Sequence, residues 1–191
     1  MGRVSTSEAW PPPGRPITVA DLDRMPDDGR RYELASGVLI VSPRPRMSHQ
    51  VVALELALLL RQACPEHLAV VPEPAVQLSA DTEFDPDIIV VRREHVRQAK
   101  AVQAPLLAVE VQSPSTALID LNVKRDAYER FGVVSYWLVS PDLDDPALTV
   151  LELVADGRYR QTARVSGGQT FRATRPYPVD VTPAQLVAPL R

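Results

Sequence analysis

The stretches FDPDIIVVR (residues 84–92) and LLAVEVQSPST (residues 106–116) each carry one carboxylate, Asp87 or Glu110, on a run of aliphatic residues. Continuous runs of this kind predict strands of a sheet that is covered on both faces. An ionised carboxylate among core residues is unfavourable unless it is paired, hydrogen-bonded or bound to a cation. The rest of the chain must therefore provide partners for these two acids.

Side chains alternate along a strand, which places Glu110 and Gln112 on one face and Leu107, Val109 and Val111 on the other. Glu110 is thus predicted among core-forming residues rather than at a polar edge. Its presence there is the strongest single indication of a functional site in the chain.

Two acids at neighbouring strand ends can form an all-oxygen site for a hard cation. Asp87 follows Pro86 and is predicted at the start of its strand. Mg²⁺ suits such a site because it binds a few carboxylates and keeps several waters. The alternative is that Asp87 hydrogen-bonds a turn while Glu110 pairs with a lysine or arginine.

Composition narrows the class of protein. The chain has 191 residues, 45% of them hydrophobic, and a net charge of −3, which disfavours a strongly basic nucleic-acid binder. A single cysteine excludes an intrachain disulfide and favours the reducing cytoplasm. No apolar run reaches the roughly 20 residues that span a bilayer, so no membrane contact is expected.

Residues 1–16 are predicted to form a flexible tail, without a secretory signal, before a single domain at residues 17–191.

Helical and strand patterns alternate along the domain and predict an α/β or α+β fold of three layers. Helices are predicted at residues 18–26, 47–64, 116–132 and 181–190. Strands or hairpins are predicted at residues 30–43, 68–71, 75–78, 87–91, 106–112, 135–140 and 147–165.

Further candidates for the site come from these neighbouring elements. Glu33 lies on a predicted strand and points away from its apolar neighbours, and His49 lies in the first turn of the long helix. Asp120, Lys124 and Tyr128 share one face of the helix after the Glu110 strand. Asp120 and Lys124 could form a surface ion pair, or the lysine could reach a phosphate or a metal-bound water.

Four segments resemble the Uma-two family, in both order and spacing. They are YELASGVLIVSPRPRMSHQ (32–50), DPDIIVV (85–91), LLAVEVQSPST (106–116) and DLNVKRDAYERFGVVSYWLVSP (120–141). That family is assigned to the endonucleases of the PD-(D/E)-x-K, restriction-endonuclease-like superfamily. The resemblance covers residues 17 to 189, and it implies a central mixed sheet flanked by helices.

The resemblance also implies phosphodiester cleavage that depends on Mg²⁺ (or Mn²⁺). By motif, Asp87 corresponds to the acid of the PD half, Glu110 to the acid of the E-x-K half, and Glu33 to an upstream glutamate. These three are the expected metal ligands. Gln112 stands where the motif has its lysine, and Lys124 on the following helix is the expected substitute.

The expected partner is nucleic acid, most plausibly DNA. Arg44 and Arg46 beside His49, and Arg92 and Arg93 at the start of a basic run, are candidate contacts to phosphates. A solvated run of charges is the alternative for the basic run. Aromatic residues amount to only 5% of the chain, which disfavours binding of single strands by base stacking.

Other classes of function remain open at this point. A catalytically silent nuclease-like module that binds nucleic acid or a protein partner is favoured by Gln112 and by the acidic net charge. A glycosidase would also use two carboxylates, but the few aromatic residues offer little surface for a sugar. A homodimer is possible, since nucleases that cut both strands often have two sites.

Overall fold

A computed structural model describes residues 14–113 and 116–191. Most of the predicted tail lies outside this part of the chain. In the described part of the tail, the guanidinium of Arg15 donates a hydrogen bond to Oδ1 of Asp21 at 2.7 Å. The short helix predicted at residue 18 begins after Thr18, whose hydroxyl bonds Asp21.

The described strands are β1 (Arg31–Ala35), β2 (Val38–Ser42), β3 (Leu68–Pro72), β4 (Val76–Ser79), β5 (Thr82–Phe84), β6 (Ile88–Arg92), β7 (Leu107–Val111), β8 (Ser135–Ser140), β9 (Ala147–Leu153), β10 (Tyr159–Ser166), β11 (Phe171–Ala173) and β12 (Val179–Val181). The described α-helices are α1 (Val19–Leu22), α2 (Met47–Ala63), α3 (Arg125–Phe131) and α4 (Pro183–Leu186). A π-helical segment, Ile119–Lys124, leads into α3, and 3₁₀ turns lie at Arg93–His95 and Ala188–Leu190.

Six strands form the central sheet in the order β10-β9-β8-β7-β6-β3. β7 and β8 run parallel, and the other neighbours are antiparallel. The predicted α+β fold with a central mixed sheet flanked by helices is confirmed.

Helices cover both faces of this sheet. On one face, Leu56 of α2 packs in a core cluster with Val109 and Trp137. On the other face, Tyr128 of α3 packs with Ala108 and Tyr136. Full burial of one large apolar side chain contributes roughly 1.5–3 kcal/mol, so the two clusters supply most of the stability. They also explain why the central strands are aliphatic throughout.

The long helix α2 ends one residue before Cys64, close to the predicted boundary, because Pro65 cannot continue it. Its buried residues Val52, Leu56 and Leu60 recur at helical spacing. Among the described helices, none is both long and apolar enough to cross a membrane.

A smaller sheet with the order β2-β1-β5-β4 lies beside the main one and carries Glu33 on β1. The β1–β2 hairpin was predicted correctly from its turn, Ser36-Gly37, whose φ angles are +48° and +78°. Strands β5, β11 and β12 were missed, since each has only three residues and shows no clear alternation.

The pairing of β6 with β7 brings the two opening acids together. Ile88 is paired with Val109, and the N–H of Asp87 donates to the carbonyl of Val109 at 3.1 Å. Asp87 therefore lies beside Glu110 at one end of the central sheet, as the sequence predicts.

The helix after β7 differs from the continuous α-helix predicted for it. Residues Ile119–Lys124 have π-helical hydrogen bonding. This geometry is rare in proteins as a whole, and where it occurs it is frequently found at functional sites. The side chains of Asp120 and Lys124 are only 1% and 2% exposed, so the prediction that they form an ion pair at the surface is wrong. The helix ends at Gly132 with a φ of +90°, as predicted.

The hairpin turn at Gly37 offers a test of the fold. A Cβ at Gly37 would lie 2.9 Å from Cβ of Pro16, whereas a Cβ at Gly157 would meet nothing within 4 Å. Both residues have positive φ. Gly157→Ala is therefore expected to lower the free energy of unfolding by about 1 kcal/mol, and Gly37→Ala by clearly more. Urea denaturation measures both, and equal losses would contradict the close contact at Pro16.

Candidate active site

A cleft of about 820 Å³ opens at the end of the central sheet where Asp87 and Glu110 meet. It collects eight of the predicted site residues: Glu33, Arg44, Arg46, His49, Asp87, Glu110, Gln112 and Lys124. Arg92 and Arg93 are not among its described lining residues. They follow the opposite end of β6, where Arg92 is paired with Leu68 and Arg93 bonds the carbonyl of Glu66.

Lys124 lies at the centre of the acidic side chains. Its Nζ is 2.8 Å from Oε1 of Glu33, 3.0 Å from Oε1 of Glu110 and 3.6 Å from Oδ1 of Asp120. Burial alone would lower the pKa of Lys124, but Glu110, Glu33 and Asp120 outweigh it and the pKa is raised. Lys124 is therefore a buried ammonium ion. Glu110 thus has the lysine partner that the alternative interpretation proposed for it.

Asp87 is held by a different set of partners. Its Oδ2 accepts a hydrogen bond from the N–H of Val111 at 2.7 Å and lies 3.3 Å from Nε2 of His49. Its Oδ1 lies 3.8 Å from Arg31. Burial raises the pKa of Asp87, but His49 and Arg31 together lower it below its ordinary value. Asp87 is thus an ionised carboxylate fixed to strand β7, and not a cap of a turn.

Glu33 joins the smaller sheet to the site. Its Oε1 accepts the N–H of Asp85 at 2.9 Å as well as the Lys124 ammonium. Burial raises the pKa of Glu33, but Lys124 and Arg31 outweigh burial and the pKa is lowered. The carboxylate of Glu33 is therefore ionised in the folded protein.

Glu110 and Asp120 are the least compensated acids. Burial raises the pKa of Glu110 well above its ordinary value despite Lys124, and the neighbouring carboxylates add to the effect. Burial likewise raises the pKa of Asp120. The Lys124 ammonium and the Thr116 hydroxyl lower the pKa of Asp120 but do not outweigh burial. In the described part of the chain, neither oxygen of Asp120 forms a hydrogen bond of good geometry.

Two residues of the site, Arg31 and Asp85, escaped sequence reasoning as functional residues, and Asp120 was weighed only as half of a surface ion pair. Arg31 lies within 4 Å of carboxylate oxygens of Glu33, Asp85 and Asp87. Since residues two apart on a strand share a face, the spacing of Arg31 and Glu33 could have revealed it. Burial raises the pKa of Asp85 to about 6.

The charges of the site do not cancel. Five carboxylates surround the basic side chains Arg31 and Lys124 and the histidine His49, which is charged only when protonated: Glu33, Asp85, Asp87, Glu110 and Asp120. Buried negative charge in such excess must be compensated by protons or by a further cation. Carboxylate oxygens are the ligands that Mg²⁺ prefers, so the residues suit this ion chemically.

The arrangement of these residues departs from the expected metal site. In residues 14–113 and 116–191, no three His, Cys, Asp or Glu side chains converge on a position for a metal ion. Lys124 lies between Glu33 and Glu110, while Asp87 faces His49 and the backbone of Val111. Metal binding by Glu33, Asp87 and Glu110 therefore stays a prediction, and it would require these side chains to move from the positions described.

A family model described as "Putative restriction endonuclease", that of the Uma2 (Uma-two) family, matches residues 19–186. The chain belongs to the Uma2 family. Its structure is similar to the crystal structure of a "putative nuclease belonging to DUF820" from Anabaena variabilis, with a TM-score of 0.70 and 18% identity. That match covers 92% of this Uma2 protein and 100% of the other chain, and it shows the shared fold. No curated protein sequence matches the chain.

The contact between His49 and Asp87 predicts an altered titration of the histidine. Burial lowers the pKa of His49, but Asp87 outweighs burial and the pKa is raised. In Asp87→Asn the pKa of His49 is expected to fall, because the carboxylate that raises it is gone while burial and Arg31 still lower it. NMR titration of the ring protons measures it, with His67 and His95 as internal references. An unchanged pKa would contradict the contact.

Because this pKa is raised in the folded state, the contact stabilises the protein below the unfolded pKa of about 6.5. The stabilisation is lost as pH rises through the folded pKa. The difference in free energy of unfolding between the wild type and His49→Gln should therefore shrink over that range.

Proposed function

We propose that this Uma2 protein hydrolyses phosphodiester bonds in DNA, in a reaction that depends on Mg²⁺ or Mn²⁺. The observation that carries the proposal is the cleft in which Glu33, Asp87 and Glu110 gather beside Lys124 at the strand ends. Membership of a family described as restriction endonucleases supports the same reaction class.

Basic side chains would bind the DNA backbone. Arg44 and Arg46 are exposed at the cleft, and Arg31 lies inside it at 21% exposure. Nη2 of Arg31 has no hydrogen-bond partner among the described residues. A guanidinium with free donors matches the oxygens of a phosphate group, so Arg31 would hold the reacting phosphate.

The carboxylates Asp87, Glu110 and Glu33 would hold one or two metal ions. When bound, Mg²⁺ supplies positive charge for the phosphate and lowers the pKa of water. The protein's own contribution is to fix these acids: His49 and the Val111 N–H orient Asp87, and the Asp85 N–H orients Glu33.

Lys124 and Gln112 would act on the phosphate itself. The Lys124 ammonium can donate to an oxygen that gains negative charge in the transition state, where a preorganised donor has its largest effect. Gln112 follows Glu110 on the same face and can orient the attacking water or a phosphate oxygen. In-line attack of water on phosphorus then breaks the bond to the leaving oxygen.

The setting of this activity belongs to the same proposal. One cleft would cut one strand of a duplex at a time, so cleavage of both strands would use a homodimer with two clefts. Cys64 is a free thiol, which is consistent with the cytoplasm.

A silent binding module is the second candidate. Gln112 replaces the strand lysine of the superfamily motif, and Lys124 is engaged with carboxylates rather than open to a substrate. A glycosidase is less well supported, because the described lining of the cleft contains no Phe, Tyr or Trp to stack on a sugar.

A plasmid nicking assay tests the reaction. The wild type is expected to nick supercoiled DNA with Mg²⁺ or Mn²⁺, and EDTA should stop it. Asp87→Asn and Glu110→Gln should each lose roughly 100-fold or more in rate, since each removes charge at the reacting centre. Asp180→Asn, which changes an exposed carboxylate on β12, is the matched control. Nicking by both site variants at the wild-type rate would refute the site. A wild type that binds DNA without cutting it would establish the silent module.

The salt dependence of DNA binding tests the basic rim. Each phosphate contact contributes about 0.9 to the slope of log K against log salt. Arg44→Ala with Arg46→Ala should reduce that slope by nearly 2. Arg92→Ala with Arg93→Ala, at the opposite end of β6, should leave it nearly unchanged. Fluorescence anisotropy at several salt concentrations measures both, and equal changes would mean that DNA extends beyond the cleft.

A further inference from the structure

The ammonium of Lys124 stands where a metal ion bound by three carboxylates would stand. Oxygens of Glu33, Glu110 and Asp120 lie 2.8, 3.0 and 3.6 Å from Nζ. Mg²⁺ binds oxygen at about 2.1 Å, so movements of roughly 0.7 Å for Glu33, 0.9 Å for Glu110 and 1.5 Å for Asp120 would bring these oxygens to coordination distance. Both cations cannot occupy this position together.

Asp120 indicates that the lysine does not satisfy these acids completely. Its side chain is 1% exposed and lines the cleft, yet neither oxygen forms a hydrogen bond of good geometry in the described residues, although the Thr116 hydroxyl is close enough to lower its pKa. One ammonium carries a single charge against three carboxylates. A divalent ion with its waters would match the charge better and would give Asp120 a partner.

The side chain of Lys124 also has space into which it can move. It lines the cleft of about 820 Å³, and its four-carbon stem is flexible. An ammonium that leaves the carboxylates can therefore turn into the same space that the substrate phosphate would enter.

We propose that Lys124 holds the metal position in the metal-free protein, and that a divalent cation displaces its ammonium and binds Glu33, Glu110 and Asp120. Asp120 becomes a metal ligand, and the released lysine faces the substrate phosphate. The inference rests on the proposed function for the role of the freed lysine, but not for the exchange of cations. It explains why the acids and the lysine are close together while no ready-made metal site is present among the described residues.

Calorimetric titration of the full chain with Mn²⁺, without DNA, tests the exchange. Lys124→Met should bind Mn²⁺ about tenfold more tightly or better, because no ammonium has to be displaced. Arg31→Met is the matched control, since it removes one positive charge from the same cleft without vacating the position. A gain in affinity that is equal in both variants would reduce the effect to general electrostatics and overturn the proposal.

Asp120→Asn tests the new ligand. Its Mn²⁺ affinity should fall by at least about 10- to 100-fold, the range for residues that orient metal ligands. Asp85→Asn, which removes one carboxylate on the Arg31 side, is the control and should change the affinity much less. Equal effects of the two substitutions would refute Asp120 as a ligand.

Lys124→Met removes the ammonium that three acids share and could fail to fold without metal. In that case a rise in its melting temperature with Mn²⁺, larger than that of the wild type, supports the exchange, and no rise contradicts it.

The proposed function is tested separately. Mn²⁺ binding that follows Lys124 and Asp120 in a protein that cuts no DNA would support the exchange alone. Cleavage that depends on Asp87 and Glu110, with Mn²⁺ affinity insensitive to Asp120, would support the nuclease alone.

Discussion

The site depends on the ion pairs between the buried ammonium of Lys124 and the carboxylates around it. The ammonium joins Glu33 of the smaller sheet, Glu110 of the central sheet and the helical segment that follows β7. Removing one partner of a buried pair leaves an uncompensated charge, which costs several kcal/mol. The two sheets are thus held together at the cleft by charge, while the apolar clusters hold them elsewhere.

Local patterns were enough to predict much of this arrangement. The alternation at Glu110 and Gln112, the turn at Ser36-Gly37 and the stop at Gly132 follow from the periodicity and conformational freedom of single residues. These features fixed the main strands and helices. They also placed Lys124 near Glu110, because a helix that follows a strand directly must start at that strand's end.

What escaped prediction depends on contacts between distant segments. The burial of Asp120 requires the π-helical segment, which no sequence pattern announces. The role of Arg31 requires that β1 lie next to residues 85 to 87. Arg92 and Arg93 are a different case, because Asp87 precedes the five-residue strand β6 and Arg92 ends it. The sequence itself separates this basic run from Asp87, and the structure adds that the cleft opens at the Asp87 end.

The pairing of β6 with β7 also constrains how such a protein can diverge. A shift of one residue would turn every side chain of β6 to the other face and move Asp87 away from Val111. The connection between these strands, residues 93 to 106, is mostly irregular and can absorb insertions. Lineages can therefore change its length widely while the Ile88–Val109 pairing is retained. The strand pairing that places Asp87 beside Val111 therefore constrains the sequence more strongly than the length of this connection does.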